Sequence, residues 1–299
     1  MSIHLKLAIA TILWGATPTI GRVLAHYESP ELLTFFRFLT ASIFLYLVAS
    51  KKESLFTRFQ LGDLPLYLFL GLTGICLHNV LMFWGMEYAD ATRGSIIMGL
   101  ISVMVAILEF VFYGIRISTL ALVGIGLAFI GLAIVVSDGN IGELLTSGMG
   151  FGDILLIGSA LSWAIYSVIS RPVLNRVSAL DLTALACMTG TLMLVPMLFK
   201  DLDIAADMIT DPTAITLIGI SGLLGTGIGY IWYYEGVQQL GSVGTVMYVN
   251  LLPVTGILIA AITLHEVPTI AAIVGGACVV AGVILVNKIT KPEIATTDA

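Results

Sequence analysis

Apolar runs long enough to cross a bilayer follow one another along this chain with little between them, and no other feature constrains the fold as much. A hydrocarbon core about 30 Å thick takes roughly 20 apolar residues as a helix. That template fits ten times, over residues 5–25, 31–50, 64–86, 94–113, 119–137, 153–169, 181–199, 213–235, 242–264 and 269–287. The chain is 58% hydrophobic and 11% charged, against roughly 25% charged in soluble domains, so it lacks the polar surface to cover these runs in water. The longest polar breaks, residues 51–63, 138–152 and 200–212, leave no room for a soluble domain. The expected fold is an all-α membrane protein of ten transmembrane helices, because in lipid each backbone segment must satisfy its own hydrogen bonds.

Positively charged loops stay cytoplasmic. With the N-terminus inside, Lys6, Lys51, Lys52, Arg58, Arg116, Arg171, Arg176, Lys288 and Lys291 fall on the inner side, and Arg22, Arg93 and Lys200 on the outer. Nine against three predicts cytoplasmic termini. The first apolar run is read as a mature span and not a signal peptide, since it has a counterpart later in the chain. A net charge of −6 carries no basic footprint for nucleic acid. Cys76, Cys187 and Cys278 sit singly inside apolar runs, as small hydrophobes do.

Trp14 to Arg22 aligns with Trp163 to Arg171 at a shift of 149 residues, and Gly85, Gly124 and Gly131 align with Gly236, Gly275 and Gly282 at a shift of 151. The repeat predicts two halves, 1–145 and 146–299, of five spans each. An odd number of spans forces the second copy to enter the membrane from the opposite side, and transporters of this build place their substrate near the midplane where the halves meet.

The Trp14-Gly start of the first span, Phe35-Phe-Arg37-Phe in the second, and Asn250-Leu-Leu-Pro253-Val leading to His265-Glu266 in the ninth resemble the EamA-type members of the drug/metabolite transporter superfamily. Within it the chain is similar to bacterial inner-membrane exporters of amino acids and related metabolites, aromatic amino-acid exporters among them. The resemblance implies a cavity lined mainly by helices 1, 3, 4, 6, 8 and 9. Where the family often repeats Leu-Pro and Gly-Glu in both halves, the positions matching Pro253 and Glu266 are Ser102 and Ile115.

Trp14 and Trp163 fall about ten residues into their spans, deeper than interfacial aromatic belts. They read either as core packing or as an aromatic wall for a solute, with Thr17 near the first and Tyr166 one turn after the second. His78 and Asn79 in the third span, and Tyr248 and Asn250 in the ninth, must face the bundle interior because unpaired amides in lipid are costly. Binding a solute and holding helices together remain open for them. Tyr230 and Tyr234 share a helix face that could line the cavity, whereas Trp232 and Tyr233 fit an interfacial belt, and Glu87 and Glu235 fit solvated helix ends. Pro18 and Pro253 are the expected hinges for alternating access. Arg37 costs about 2.5–3.5 kcal/mol to insert. It is either a counter-charge for a substrate carboxylate or a snorkelling or paired arginine, with Glu109 as one partner. The second is favoured because helix 2 does not line the implied cavity.

The expected function is transport, with export the implied direction, of small amphipathic metabolites such as amino acids, in the inner (plasma) membrane. The partners are a small-molecule solute and the bilayer, with no required oligomer, metal or cofactor and no catalytic residue. The rivals are an intramembrane enzyme acting on a lipid or peptide, for which no HExxH, GxSxG or paired in-span carboxylates are present, and a carrier of drugs or nucleotide sugars.

Overall fold

The computed structural model describes residues 1–16, 20, 23–24, 27, 29–51, 61–88, 97–115, 117–137, 139–140, 142, 150–252, 254–255 and 268–289. Every regular element among them is helical. In chain order these are α1 (Ile3–Gly15), α2 (Pro30–Lys51), α3 (Leu64–Leu70), α4 (His78–Tyr88), α5 (Ile101–Tyr113), α6 (Thr119–Val136), α7 (Phe151–Val173), α8 (Ala179–Lys200), α9 (Leu202–Thr210), α10 (Pro212–Ile220), α11 (Gly229–Val246) and α12 (Ile270–Ile289).

By length and composition, residues 30–51, 64–88, 151–173, 179–199 and 212–251 can cross a membrane, and four shorter apolar helices lie at 3–15, 97–113, 119–135 and 270–286. Their outward faces carry apolar side chains, among them Ile107, Phe110 and Val111 of α5 and Ile273, Val274 and Ile284 of α12, as a surface solvated by lipid requires. α9 occupies the stretch expected to be a polar loop. It buries Ala205 and Met208 beside Leu32 and Ile218.

Two helices change winding. α3 runs into a π-helical segment, Gly71–Leu77, before α4, and α10 runs into a second, Ser221–Ile228, before α11. A π turn replaces i→i+4 bonds by i→i+5 bonds and leaves carbonyls looking for donors. Side chains supply them at 2.8 Å from Asn79 Nδ2 to the Ile75 carbonyl and at 2.7 Å from Trp14 Nε1 to the Gly225 carbonyl.

Glycines set the close approaches between helices. α6 and α12 pack antiparallel, Gly124 facing Gly282 and Gly131 facing Gly275. A β-carbon on Gly131 would stand 2.5 Å from the Gly275 carbonyl oxygen, and one on Gly282 2.5 Å from that of Gly124. A shift of 151 residues turns one pair into the other. The same reciprocity recurs where Gly85 meets Leu156 and Gly236 meets Leu7, and where Gly71 meets Thr189 and Gly222 meets Thr40. Between α2 and α8, the Ser42 and Thr191 hydroxyls bond at 3.0 Å.

Candidate functional site

α1, α4, α7 and α11 bring their aromatic residues to one place. The ring centroids of Trp14 and Trp163 are 6.2 Å apart and edge to face, and Tyr230 stands 5.7 Å from the first and 5.4 Å from the second. Tyr233 lies 5.8 and 5.5 Å from the same indoles. On the far side His78 packs on Trp163 at 4.8 Å, and Tyr166 joins Trp163 to Tyr234 through contacts of 5.5 and 5.3 Å. Edge-to-face contact is one of the favoured geometries for such pairs, and the Trp14–Trp163, Trp14–Tyr230 and Trp163–Tyr230 pairs adopt it. In this conformation the rings cover one another: Trp163 is only 5% exposed and Tyr230 6%.

Polar atoms thread the cluster. His78 Nδ1 faces the Ser159 carbonyl at 3.2 Å, which calls for a proton on Nδ1, and Ser159 Oγ donates back to the His78 carbonyl at 2.7 Å. The Tyr233 and Ser167 hydroxyls bond at 2.8 Å, and Ser167 Oγ donates to the Trp163 carbonyl at 2.9 Å. Asn79 accepts from Arg37 Nη2 at 2.9 Å. Arg37 Nε is buried without a hydrogen-bond partner, whereas the Trp163 indole faces the Tyr233 hydroxyl and the Tyr166 and Tyr234 hydroxyls face each other, all short of full hydrogen-bond geometry. Unpaired buried donors are rare in folded proteins, and Arg37 Nε at the edge of the rings is one.

Several sequence expectations are corrected. Tyr233 is 1% exposed and central, not part of an interfacial belt. The helix that carries Tyr233 does not end near residue 235 but continues to a break at Gly241 (φ 74°), which puts Tyr233 two turns from that break. Glu235 is half-buried and pairs with Lys6, so it is not a solvated helix end. Glu109 is not the partner of Arg37, since its Oε2 accepts from Arg171 at 2.7 Å. Tyr248 and Asn250 face the interior as expected, and each bridges helices. Tyr248 Oη lies 2.6 Å from His4 Nδ1, and Asn250 Nδ2 donates to Ser102 Oγ at 3.2 Å. Thr17, Pro18 and Pro253 lie outside the described residues. No group of three or more metal-ligating side chains occurs among the described residues.

The model of the EamA-like transporter family matches residues 1–137 and again 150–288. The chain belongs to that family and is a multi-pass membrane protein. It is similar to an uncharacterized transporter, YyaM, of Bacillus subtilis, 25% identical with 98% of each chain covered. An uncharacterized transporter of Archaeoglobus fulgidus is 29% identical, covering 94% of this chain and 96% of that one. A probable terminal-alkyne amino-acid exporter of Streptantibioticus cattleyicolor is 28% identical, covering 95% and 93%. A solved crystal structure has the same fold, with a TM-score of 0.74, 17% identity and 97% of each chain covered.

Proposed function

We propose that the chain carries small amphipathic solutes, amino acids foremost, out of the cell by alternating access, and that the solute sits at the Trp14–Trp163–Tyr230 cluster. The convergence of these rings from α1, α7 and α11, with the unpartnered Arg37 Nε at their edge, carries this reading. Aromatic faces hold an apolar body while a few polar groups orient the rest. Access requires the α1–α11 pair to part from the α4–α7 pair, opening the indole–indole contact, and the two π segments, one in each pair's long helix, are the places where winding can change.

The reading includes ten spans in two inverted five-helix halves, with both termini in the cytoplasm and the protein in the inner (plasma) membrane. The reciprocal glycine contacts support the inversion, and the loop charge count supports the orientation. The amino-acid class draws on the Streptantibioticus relative, whose name carries that cargo. Counterflow in proteoliposomes loaded with a panel of amino acids, drugs and nucleotide sugars tests the function. Exchange of amino acids is expected; exchange restricted to drugs or nucleotide sugars moves the cargo class, and hydrolysis of a lipid or peptide without any flux abandons transport. Cysteines placed at residues 2 and 298 should both label from the cytoplasmic side, and labelling from opposite sides breaks the inverted arrangement.

A further inference from the structure

A guanidinium inside an apolar bundle persists where a carboxylate, a hydrogen-bond network or a bound anion satisfies it. Arg37, the eighth of the 22 residues of α2, receives only part of this from the protein. One Nη2 hydrogen reaches Asn79 Oδ1 at 2.9 Å, Cζ lies 4.9 Å from the Phe38 ring centroid, and Nε is buried with no partner. Among the described residues no carboxylate pairs with it: the buried Glu109 is held by Arg171 and Glu235 by Lys6. Asn79 offers no charge. Its amide nitrogen is committed to the Ile75 carbonyl of the first π segment at 2.8 Å, which turns its oxygen towards the guanidinium.

Arg37 also touches both π segments. Its side chain reaches the first through Asn79, and its carbonyl oxygen would lie 2.8 Å from a β-carbon on Gly222 of the second. The Phe38 ring beneath the guanidinium meets Tyr230 edge to face at 6.0 Å. The cation therefore stands at the border of the aromatic cluster, with no opposite charge paired to it among the described residues.

We propose that Arg37 is the carboxylate anchor of the transported solute. This rests on the transport reading above and adds to it the half of the solute that the rings cannot recognise. The solute's carboxylate takes the unpartnered Nε hydrogen together with a remaining Nη hydrogen, the forked geometry for which a guanidinium is suited. The apolar part lies against Tyr230 and the two indoles, and Asn79 acts as a positioning residue. Helix 2 thus contributes to the site by reach, through the long arginine side chain.

The test titrates purified protein in nanodiscs with 3-phenylpropionate, L-phenylalanine and L-phenylalaninamide, read by tryptophan emission, and repeats the series in proteoliposome counterflow. Wild type is expected to bind the two carboxylates more tightly than the amide. Arg37→Gln should weaken both acids about ten- to hundredfold, the worth of a charge-assisted hydrogen-bonded pair, and leave the amide within about twofold. Arg37→Lys, which keeps the charge and loses the fork, should fall between and serves if the glutamine variant does not accumulate. An equal loss for acid and amide makes Arg37 structural and overturns the anchor, as do acid affinities unchanged in both variants. Binding of the amide but not the acids by wild type also overturns it while leaving the aromatic site standing. Binding of none of the three, together with no counterflow of any amino acid, brings down the transport reading itself and the anchor with it.

Discussion

At the seam between α6 and α12, a shift of 151 residues turns the Gly124–Gly282 contact into the Gly131–Gly275 contact. At the aromatic centre the same shift turns Asn79 into Tyr230 and His78 into Gly229, and a shift of 149 turns Arg37 into Ala186. The seam has backbone against backbone, where a β-carbon on Gly131, Gly275 or Gly282 would stand 2.5–2.6 Å from a facing carbonyl oxygen, so each copy of the contact requires glycine. The centre has side chains against side chains, where many combinations fill the space. A lopsided solute, charged at one end and apolar at the other, needs one arginine and one set of rings and gains nothing from a duplicate. Packing, the Trp14–Trp163 pair included, is thus the feature the two halves share, and the polar groups and tyrosines around that pair are where they have parted.

The largest effect is expected from the seam. Gly131→Leu forces side-chain atoms into the Gly275 backbone and should prevent accumulation of monodisperse protein. Gly126→Leu on the same helix, where a β-carbon meets nothing within 4 Å, should accumulate as wild type does. Equal yields of the two in size-exclusion profiles would erase the distinction between seam and open face.

Next comes the centre. Trp163→Ala removes a ring packed among His78, Tyr166, Tyr230 and Tyr233 and should cost roughly 3–5 kcal/mol of stability as well as transport. Trp163→Phe retains most ring contacts, so it should melt closer to wild type while exchange still falls. If both variants exchange solute normally, the cluster is packing alone.

Single hydrogen bonds should matter less. Trp14→Phe leaves the Gly225 carbonyl without its 2.7 Å donor and should lower stability by about 1–3 kcal/mol, whereas Tyr233→Phe, which leaves Ser167 bonded to the Trp163 carbonyl, should lower it by about 0.5–1.5 kcal/mol. A larger loss from Tyr233→Phe than from Trp14→Phe would mean that the π carbonyl finds another donor.

The smallest effect lies outside the membrane-spanning part. The Thr213 N–H and the Tyr27 hydroxyl bond the Asp211 carboxylate at 2.8 and 2.9 Å and hold its pKa below the ordinary 3.8. A depressed carboxylate contributes stability above its unfolded pKa, and that contribution is lost as pH falls through the folded one. Melting temperatures of wild type should therefore drop more between pH 5 and pH 3 than those of Asp211→Asn. Parallel profiles would remove Asp211 from the acid response.

Much was readable without coordinates because it depends on composition and period. Lipid as solvent forces apolar helices, so the all-helical membrane class follows from hydropathy. The glycine pairs and the Trp14–Trp163 correspondence follow from self-similarity. Tertiary structure alone decided the winding, the reach and the pairing of charges. Hydropathy cannot separate i→i+4 from i→i+5 bonding, so the π segments at Gly71–Leu77 and Ser221–Ile228 left no trace in the pattern, and neither did the continuation of α11 to Gly241 that carries Tyr233 inward. Depth along a span constrains which groups share a layer but not which of them meet, because rotation and tilt of each helix are set by its neighbours. That is why Glu109 could be paired on paper with Arg37, while the packing of α5 on α7 gives it to Arg171 and leaves Arg37 beside the rings with no carboxylate partner among the described residues.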